Sequence, residues 1–241
     1  MPSLLGLDVE ECSPPPSFKR PQSFHCLIGR CEVIDENRVK EMEDHPLIDV
    51  AELNRFRVIR RRAEHITGRY FLMEILQQWT TESLSELCIT RDAHRAPLLS
   101  GWPDGCPPFI SISHTNGVAL AAVSTSPVGI DAEPLNVARH PGLKNEIMAK
   151  IEVEALGSLA DDPQIINRIW TSKEAIQKAC GLGMALIPAK IPLVNRERPN
   201  QIDEQVTLLD QEAIAHVLSW EDHRSHSPLI VSVAFIQPNS I

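Results

Sequence analysis

The stretch FISISHTNGVALAAVSTSPVGIDAE, Phe109–Glu133, decides how this chain is read. Before it the apolar residues recur at helical spacing; within it the period becomes two. "FISIS" alternates, "VALAAVS" is a second apolar strand, and the Asn116-Gly117 step between them supplies hairpin turn chemistry. "STSP" turns the chain again, and "VGIDAE" reads as a third strand. That strand ends on Asp131 and Glu133, with Ala132 between them. Successive side chains alternate along a strand, so both acids project on one face and Ala132 on the other. A carboxylate pair beside buried strands needs compensation.

Working outward, Phe56, Ile59, Ala63, Ile66, Tyr70, Met73 and Leu76 recur three and four apart. They predict an amphipathic helix from about Val50 to Trp79, with its arginines largely off the apolar stripe. "RDAHRAPLLSGWPDGCPPF" (91–109) is rich in Pro, Gly and Asp. It predicts a loop, and with it a boundary near residues 100–108. The expected halves are therefore 1–105, with a loose proline-rich lead-in to about residue 21, and 106–241. Beyond the third strand, helices are predicted over 143–160 and 167–180, and short strands at 206–210, 216–220 and 228–236. Helices interleaved with hairpins, without strict βαβ alternation, give an α+β fold class.

The chain has 241 residues, 43% hydrophobic and 23% charged, enough for one large domain or two small ones. Its formal net charge of −9 argues against a nucleic-acid binder that works by neutralising many phosphates. The positive charge is nevertheless concentrated: "RFRVIRRRAEH" holds Arg55, Arg57, Arg60, Arg61 and Arg62, so a local anion site stays open. No apolar run approaches the roughly 20 residues of a membrane span. The N-terminus lacks a basic leader with a long apolar core, so a cytoplasmic location is expected. Six cysteines are scattered without a C-x-x-C pair, and no zinc site is expected.

Three segments offer chemistry. Asp131 and Glu133 are hard oxygen ligands suited to magnesium, although a solvated strand end would look the same. In "IWTSKEAIQKACGLG" (169–183), Glu174 and Lys178 lie four apart on one helix face with Trp170 a turn before. Thr171 and Glu174 also fit a capping box, and Glu174–Lys178 fits an ordinary surface pair contributing ~0.3–0.5 kcal/mol. Ser113-His114 ends the first hairpin strand. A hydrolase is rejected, because adjacent strand residues face opposite ways and no G-x-S-x-G elbow presents a serine.

In chain order, "FISISHTNGVALAAVS", "VGIDAE" and "WTSKEAIQKACGLG" closely resemble the three signature regions of the phosphopantetheinyl transferase superfamily. Those patterns are a Ser-His strand end, G-[IV]-D-x-E, and [FW]-[SCT]-x-K-E-[SA]-x-x-K, whose fixed positions are all matched from Trp170 to Lys178. "RRRAEHITGR", "HRAP" and "WPDG" in the N-terminal half resemble the enterobactin-synthetase type. The resemblance implies the large form of that fold, a pseudo-twofold pair of α+β subdomains acting as a monomer. It implies transfer of the phosphopantetheine arm of coenzyme A to a serine of an apo carrier protein, releasing adenosine 3',5'-bisphosphate. The carrier would belong to nonribosomal peptide or siderophore synthesis; a fatty-acid or polyketide carrier is the alternative within the class. A non-catalytic coenzyme A-binding module is the alternative outside it, and loss of a metal ligand would be its mark.

By the same resemblance, Asp131, Glu133 and Glu174 would hold Mg²⁺ in a cleft between the halves. Glu174 would also help activate the carrier serine, and Lys178 would reach the phosphates. Ser113 and His114 would contact the coenzyme. Lys173 joins the coenzyme-binding set by its motif position, with no role specified. Arg62, Arg69 and Arg95 are the candidates for the 3'-phosphate.

Overall fold

The computed structural model describes residues 10–11, 25–43, 47–103, 105–140, 142–194, 205–208, 212–224 and 228–238. Most of the proline-rich lead-in, Cys12 and Asp104 of "WPDG" lie outside them. The described residues divide into two compact units, one ending at Thr125 and one beginning at Ser126. Each is α+β, as expected.

The first unit contains β1 (Glu10–Glu11), β2 (Cys26–Glu32), α1 (Val39–Met42), α2 (Val50–Leu53), α3 (Ile59–Trp79), β3 (Cys88–Arg91), β4 (Pro97–Ser100), β5 (Phe109–Thr115) and β6 (Val118–Ser124). An antiparallel sheet runs in the order β1-β2-β6-β5, and β3 and β4 form a separate ladder. The predicted hairpin is present. Thr115 pairs with Val118 across Asn116 (φ 48°) and Gly117 (φ 82°), the two left-handed residues of a type I′ turn.

The boundary, however, moves. β6 pairs with β5 on one side and with β2 on the other, so the hairpin belongs to the first sheet and the division falls at 125/126 rather than 105/106. The Pro- and Gly-rich run at 91–109 covers the β3–β4 turn and the β4–β5 connection, both inside one unit. Its composition marks turns, and turns occur within units as well as between them.

The helix predicted from Val50 also changes. It begins as the short α2, capped by the Asp49 side chain on Glu52 N (3.1 Å), and restarts at Ile59 after extended backbone at Val58. Every residue of α3 from Ala63 to Leu76 is buried, which an amphipathic stripe does not predict. Phe71, Leu72, Ile75 and Leu76 pack with Ala119, Ala121 and Val123 of β6, while Ala63, Ile66 and Tyr70 pack with Val39, Met42 and Leu53. With apolar layers on two sides, the helix keeps its buried charges only by pairing them.

The second unit contains β7 (Val128–Pro134), α4 (Leu143–Ile147), α5 (Lys150–Leu156), α6 (Pro163–Ala179), β8 (Gln205–Leu208), β9 (Ala213–Asp222) and β10 (Leu229–Pro238). Its antiparallel sheet runs β7-β10-β9-β8, with Asp131 opposite Ser232 and Glu133 opposite Ile230. The third predicted strand therefore exists, but in a sheet of its own. The helix predicted over 143–160 is interrupted by extended backbone at Met148 and Ala149. That predicted over 167–180 starts earlier, at Pro163, because Asp162 caps Gln164 N (2.8 Å) and proline suits the first helical turn.

α6 lies directly on β7, and Gly129 permits it. A Cβ there would sit 1.9 Å from the Ala175 carbonyl oxygen and 2.5 Å from Ala179 N. Farther along the helix, Ser172 Oγ is 2.7 Å from Ser219 Oγ and 3.2 Å from Ser232 Oγ, tying α6 to β9 and β10. Lys173 points elsewhere. Its side chain is fully buried, with Nζ 2.5 Å from Glu152 Oε2 and 2.6 Å from the Ile147 carbonyl. Glu152 Oε1 in turn accepts from Leu193 N at 2.8 Å.

Candidate functional site

β7 delivers Asp131 and Glu133 to one face of its strand, and α6, seated over Gly129, delivers Glu174. One oxygen from each carboxylate lies within 4.8 Å of the others. Asp131 is only 4% exposed, so the strand end is not a solvated one. Lys178 reaches back from α6 to Asp131 Oδ1 (2.6 Å) and to the Ile130 carbonyl (3.1 Å). Arg139 Nη2 lies 2.5 Å from Glu133 Oε2. Thr171 is deep inside α6 and donates to the Asn167 carbonyl at 2.7 Å, which removes the capping-box reading of Thr171 and Glu174.

Burial, reinforced by the neighbouring Asp131 carboxylate, pushes Glu174 up to about 8, and Lys178 only partly opposes this. With all three carboxylates ionised, Lys178 and Arg139 leave one negative charge unbalanced. Hard carboxylate oxygens at this spacing, with negative charge left over, suit a divalent magnesium-type cation.

Lys173 corrects the sequence reading. A fully buried ammonium bonded to Glu152 has no surface for a coenzyme, and its motif position serves packing instead. Arg69 is a second correction. It is 3% exposed, with Nη2 2.6 Å from Glu52 Oε2 and Nε 2.8 Å from His65 Nε2, so it is an internal strut. Arg62 is paired with Glu43 at 2.8 Å. Arg95 alone of the three candidate arginines lines a cavity of about 640 Å³, together with Arg55, Arg91, Glu52, Asp49 and Asp92.

Glu52 organises that wall. Its carboxylate is 2.5 Å from Arg91 Nε and 3.5 Å from Arg95 Nη2, besides its bond to Arg69. Burial alone would raise its pKa, but Arg91, Arg69 and His65 hold it below the usual carboxylate range. Burial and then Arg69 depress His65 to about 4. Sequence reasoning missed Glu52 and Arg91, while Arg55 was noted only as part of the arginine-rich run that keeps an anion site open. The available signal was a lone acid, capped into α2, just ahead of the arginine-rich run.

Ser113 and His114 stand at the end of β5 in the first unit. Ser113 is buried opposite Leu120. His114 Nδ1 lies 3.6 Å from Glu64 Oε2 and 3.4 Å from Arg61 Nη1. Glu64 is itself a buried acid on α3, paired with Arg61 at 2.7 Å and Arg60 at 3.3 Å.

Comparison with known proteins meets this geometry at both units. The family model for the 4'-phosphopantetheinyl transferase N-terminal domain matches residues 51–124, and that for the 4'-phosphopantetheinyl transferase superfamily matches 127–234. The chain belongs to the 4'-phosphopantetheinyl transferase superfamily. The seam between the two matches falls at the seam between the two units. Among curated relatives, this superfamily member is 30% identical over 141 residues to the 4'-phosphopantetheinyl transferase HetI of Nostoc sp., covering 57% of this chain and 60% of the relative. It is 29% identical over 155 residues to enterobactin synthase component D of Salmonella typhimurium, covering 62% of each. The matched part thus spans about three fifths of the length of these relatives. The α+β make-up of both units agrees with the family. No helix among the described residues is long and apolar enough to cross a membrane.

Proposed function

We propose that this protein transfers the phosphopantetheine arm of coenzyme A to a serine hydroxyl of an apo carrier protein. The observation that carries the proposal is the convergence of Asp131, Glu133 and Glu174 within 4.8 Å, with Lys178 bonded to the first of them. Those three residues would hold Mg²⁺, which when bound would neutralise diphosphate oxygens as a Lewis acid.

The carrier serine oxygen forms a bond to the phosphorus that bears the pantetheine arm. The bond from that phosphorus to the oxygen of adenosine 3',5'-bisphosphate breaks, and the nucleotide leaves with the electron pair. Glu174 accepts the serine proton as the general base. Lys178 meets the charge growing on the phosphates. In the first unit, Arg95 and Arg91 on the cavity wall are assigned to the 3'-phosphate, and His114 to a phosphate contact.

The curated relative named for enterobactin synthase favours a carrier of siderophore or other nonribosomal peptide assembly. The working form is proposed to be a monomer in the cytoplasm. In support of that compartment, Cys31, Cys88, Cys106 and Cys180, among the described residues, are not in disulfides.

The test is incubation with coenzyme A, Mg²⁺ and a panel of apo carriers from siderophore and fatty-acid synthesis, followed by intact-protein mass measurement. Gain of one phosphopantetheine arm on the siderophore carriers is expected. No gain on any carrier overturns the activity; gain on the fatty-acid carrier alone overturns the substrate assignment.

A further inference from the structure

The segment that follows β7 is laced to α6. Gln164 Nε2 donates to Asn136 Oδ1 at 2.7 Å. The fully buried Asn167 amide donates to the carbonyls of Pro134 (3.2 Å), Leu135 (3.2 Å) and Val137 (2.9 Å). Its Oδ1 accepts from Arg139 Nε at 2.7 Å. One asparagine therefore fixes both the loop and the guanidinium at its end. That guanidinium touches Glu133, while Lys178 bonds Asp131.

Unlike Lys173, Arg139 is not sealed in: 24% of its side chain remains exposed. A guanidinium carries five N–H donors in a planar fork; Asn167 takes the one on Nε, and Nη2 forms an ion pair with Glu133 without a hydrogen bond. Charge decides what the rest is for. Three carboxylates, one divalent ion and Lys178 sum to zero, which offers an anionic substrate no net attraction. Arg139 tips that balance to positive.

We propose that Arg139 is a second cation for the diphosphate of coenzyme A, and that Asn167 is its positioning residue. The proposal rests on the functional reading above and adds a binding residue that lies outside the three sequence motifs. It also gives Asn167, two turns before Glu174 on α6, a purpose beyond capping a loop.

The test uses calorimetry on the full chain without a carrier, so that nothing turns over. Three probes are titrated into wild type, Arg139→Ala and Arg139→Lys: Mg²⁺ alone, inorganic pyrophosphate with Mg²⁺, and coenzyme A with Mg²⁺. Arg139→Ala is expected to weaken coenzyme A and pyrophosphate by a similar factor of about tenfold or more, the usual weight of a charge-assisted hydrogen bond. Its affinity for Mg²⁺ alone should hold or rise, because a competing cation has left Glu133. Arg139→Lys, which keeps the charge and loses the fork, should fall between. Unchanged coenzyme A binding in Arg139→Ala overturns the proposal. So does a parallel loss for Mg²⁺ alone, which would mean that Arg139 acts only by orienting Glu133. A wild type that binds neither coenzyme A nor pyrophosphate overturns the functional reading itself, and this inference with it.

Discussion

Around α3, one carboxylate, Glu52, faces Arg69, Arg91 and Arg95; around α6, three carboxylates share Lys178 and Arg139. The two units use the same parts, an antiparallel sheet with one long helix against it, and leave opposite charge unbalanced. A buried charge must be paired, and where pairing is incomplete the remainder names the missing ligand. The first unit gathers three guanidiniums on one carboxylate, beside an open cavity that Asp49 and Asp92 also line. The second has anions left over beside a strand edge. That contrast is what the following experiments attack.

The largest effect is expected where anions are in excess. Asp131→Ala and Glu174→Ala should each lower the transfer rate by roughly 10²–10³-fold or more, while circular dichroism stays unchanged. Chelation of the divalent ion from wild type should mimic them. Undiminished turnover in either variant would remove the second unit from the chemistry.

Lys173→Ala tests the opposite case, a buried charge fully paired. It strands Glu152 in the core and should destabilise the fold by about 3–5 kcal/mol in urea unfolding. Coenzyme A affinity, measured where the variant is folded, should not change. A selective loss of coenzyme binding at normal stability would return Lys173 to the site.

The units should also differ in the sign of their pH response. His65 has its folded-state pKa lowered to about 4 from 6.5, so the first unit loses stability as pH falls from about 6.5 through 4. At ~1.4 kcal/mol per pKa unit this is on the order of 3 kcal/mol. Glu174 has its pKa raised to about 8 from 4.5, so the metal-free second unit loses stability as pH rises from about 4.5 through 8. Hydrogen exchange read peptide by peptide in metal-free protein would separate the limbs. Mg²⁺ should suppress only the alkaline one, and an alkaline limb that persists with Mg²⁺ present would count against ligation by Glu174.

The smallest effect belongs to Ser172→Ala. It breaks the hydroxyl cluster with Ser219 and Ser232 and should cost about 1 kcal/mol, the net worth of a neutral hydrogen bond. A much greater loss would mean that the cluster, rather than apolar packing, seats α6.

Two pairs were legible in the sequence because strand alternation and the helical repeat are local rules, and only the family resemblance joined them into an acidic trio. Those rules put Asp131 with Glu133 and Glu174 with Lys178 before any contact is known. The domain seam was not legible. Whether Phe109–Ser124 pairs with β2 or with a later strand is a long-range choice, and loop composition carries no information about it. Lys173 and Arg69 misled for a related reason. Basic residues in a motif or beside an arginine run look available, and only the partners brought up from Glu152 and Glu52 show that they are consumed. Asn167 and Arg139 were overlooked although Asn167, Thr171, Glu174 and Lys178 form a polar row at helical spacing. That row marked the face on which the site is built.

Gly129 has a consequence beyond its own packing. The gap between the strand bearing Asp131 and Glu133 and the helix bearing Glu174 is set by an atom that is missing, since a methyl group there would meet the Ala175 carbonyl. The spacing of the three carboxylates is thus written in the backbone, two residues before the first of them. A side chain at this position would force α6 away from β7, and Glu174 away from Asp131 and Glu133, with all three acids still in the sequence.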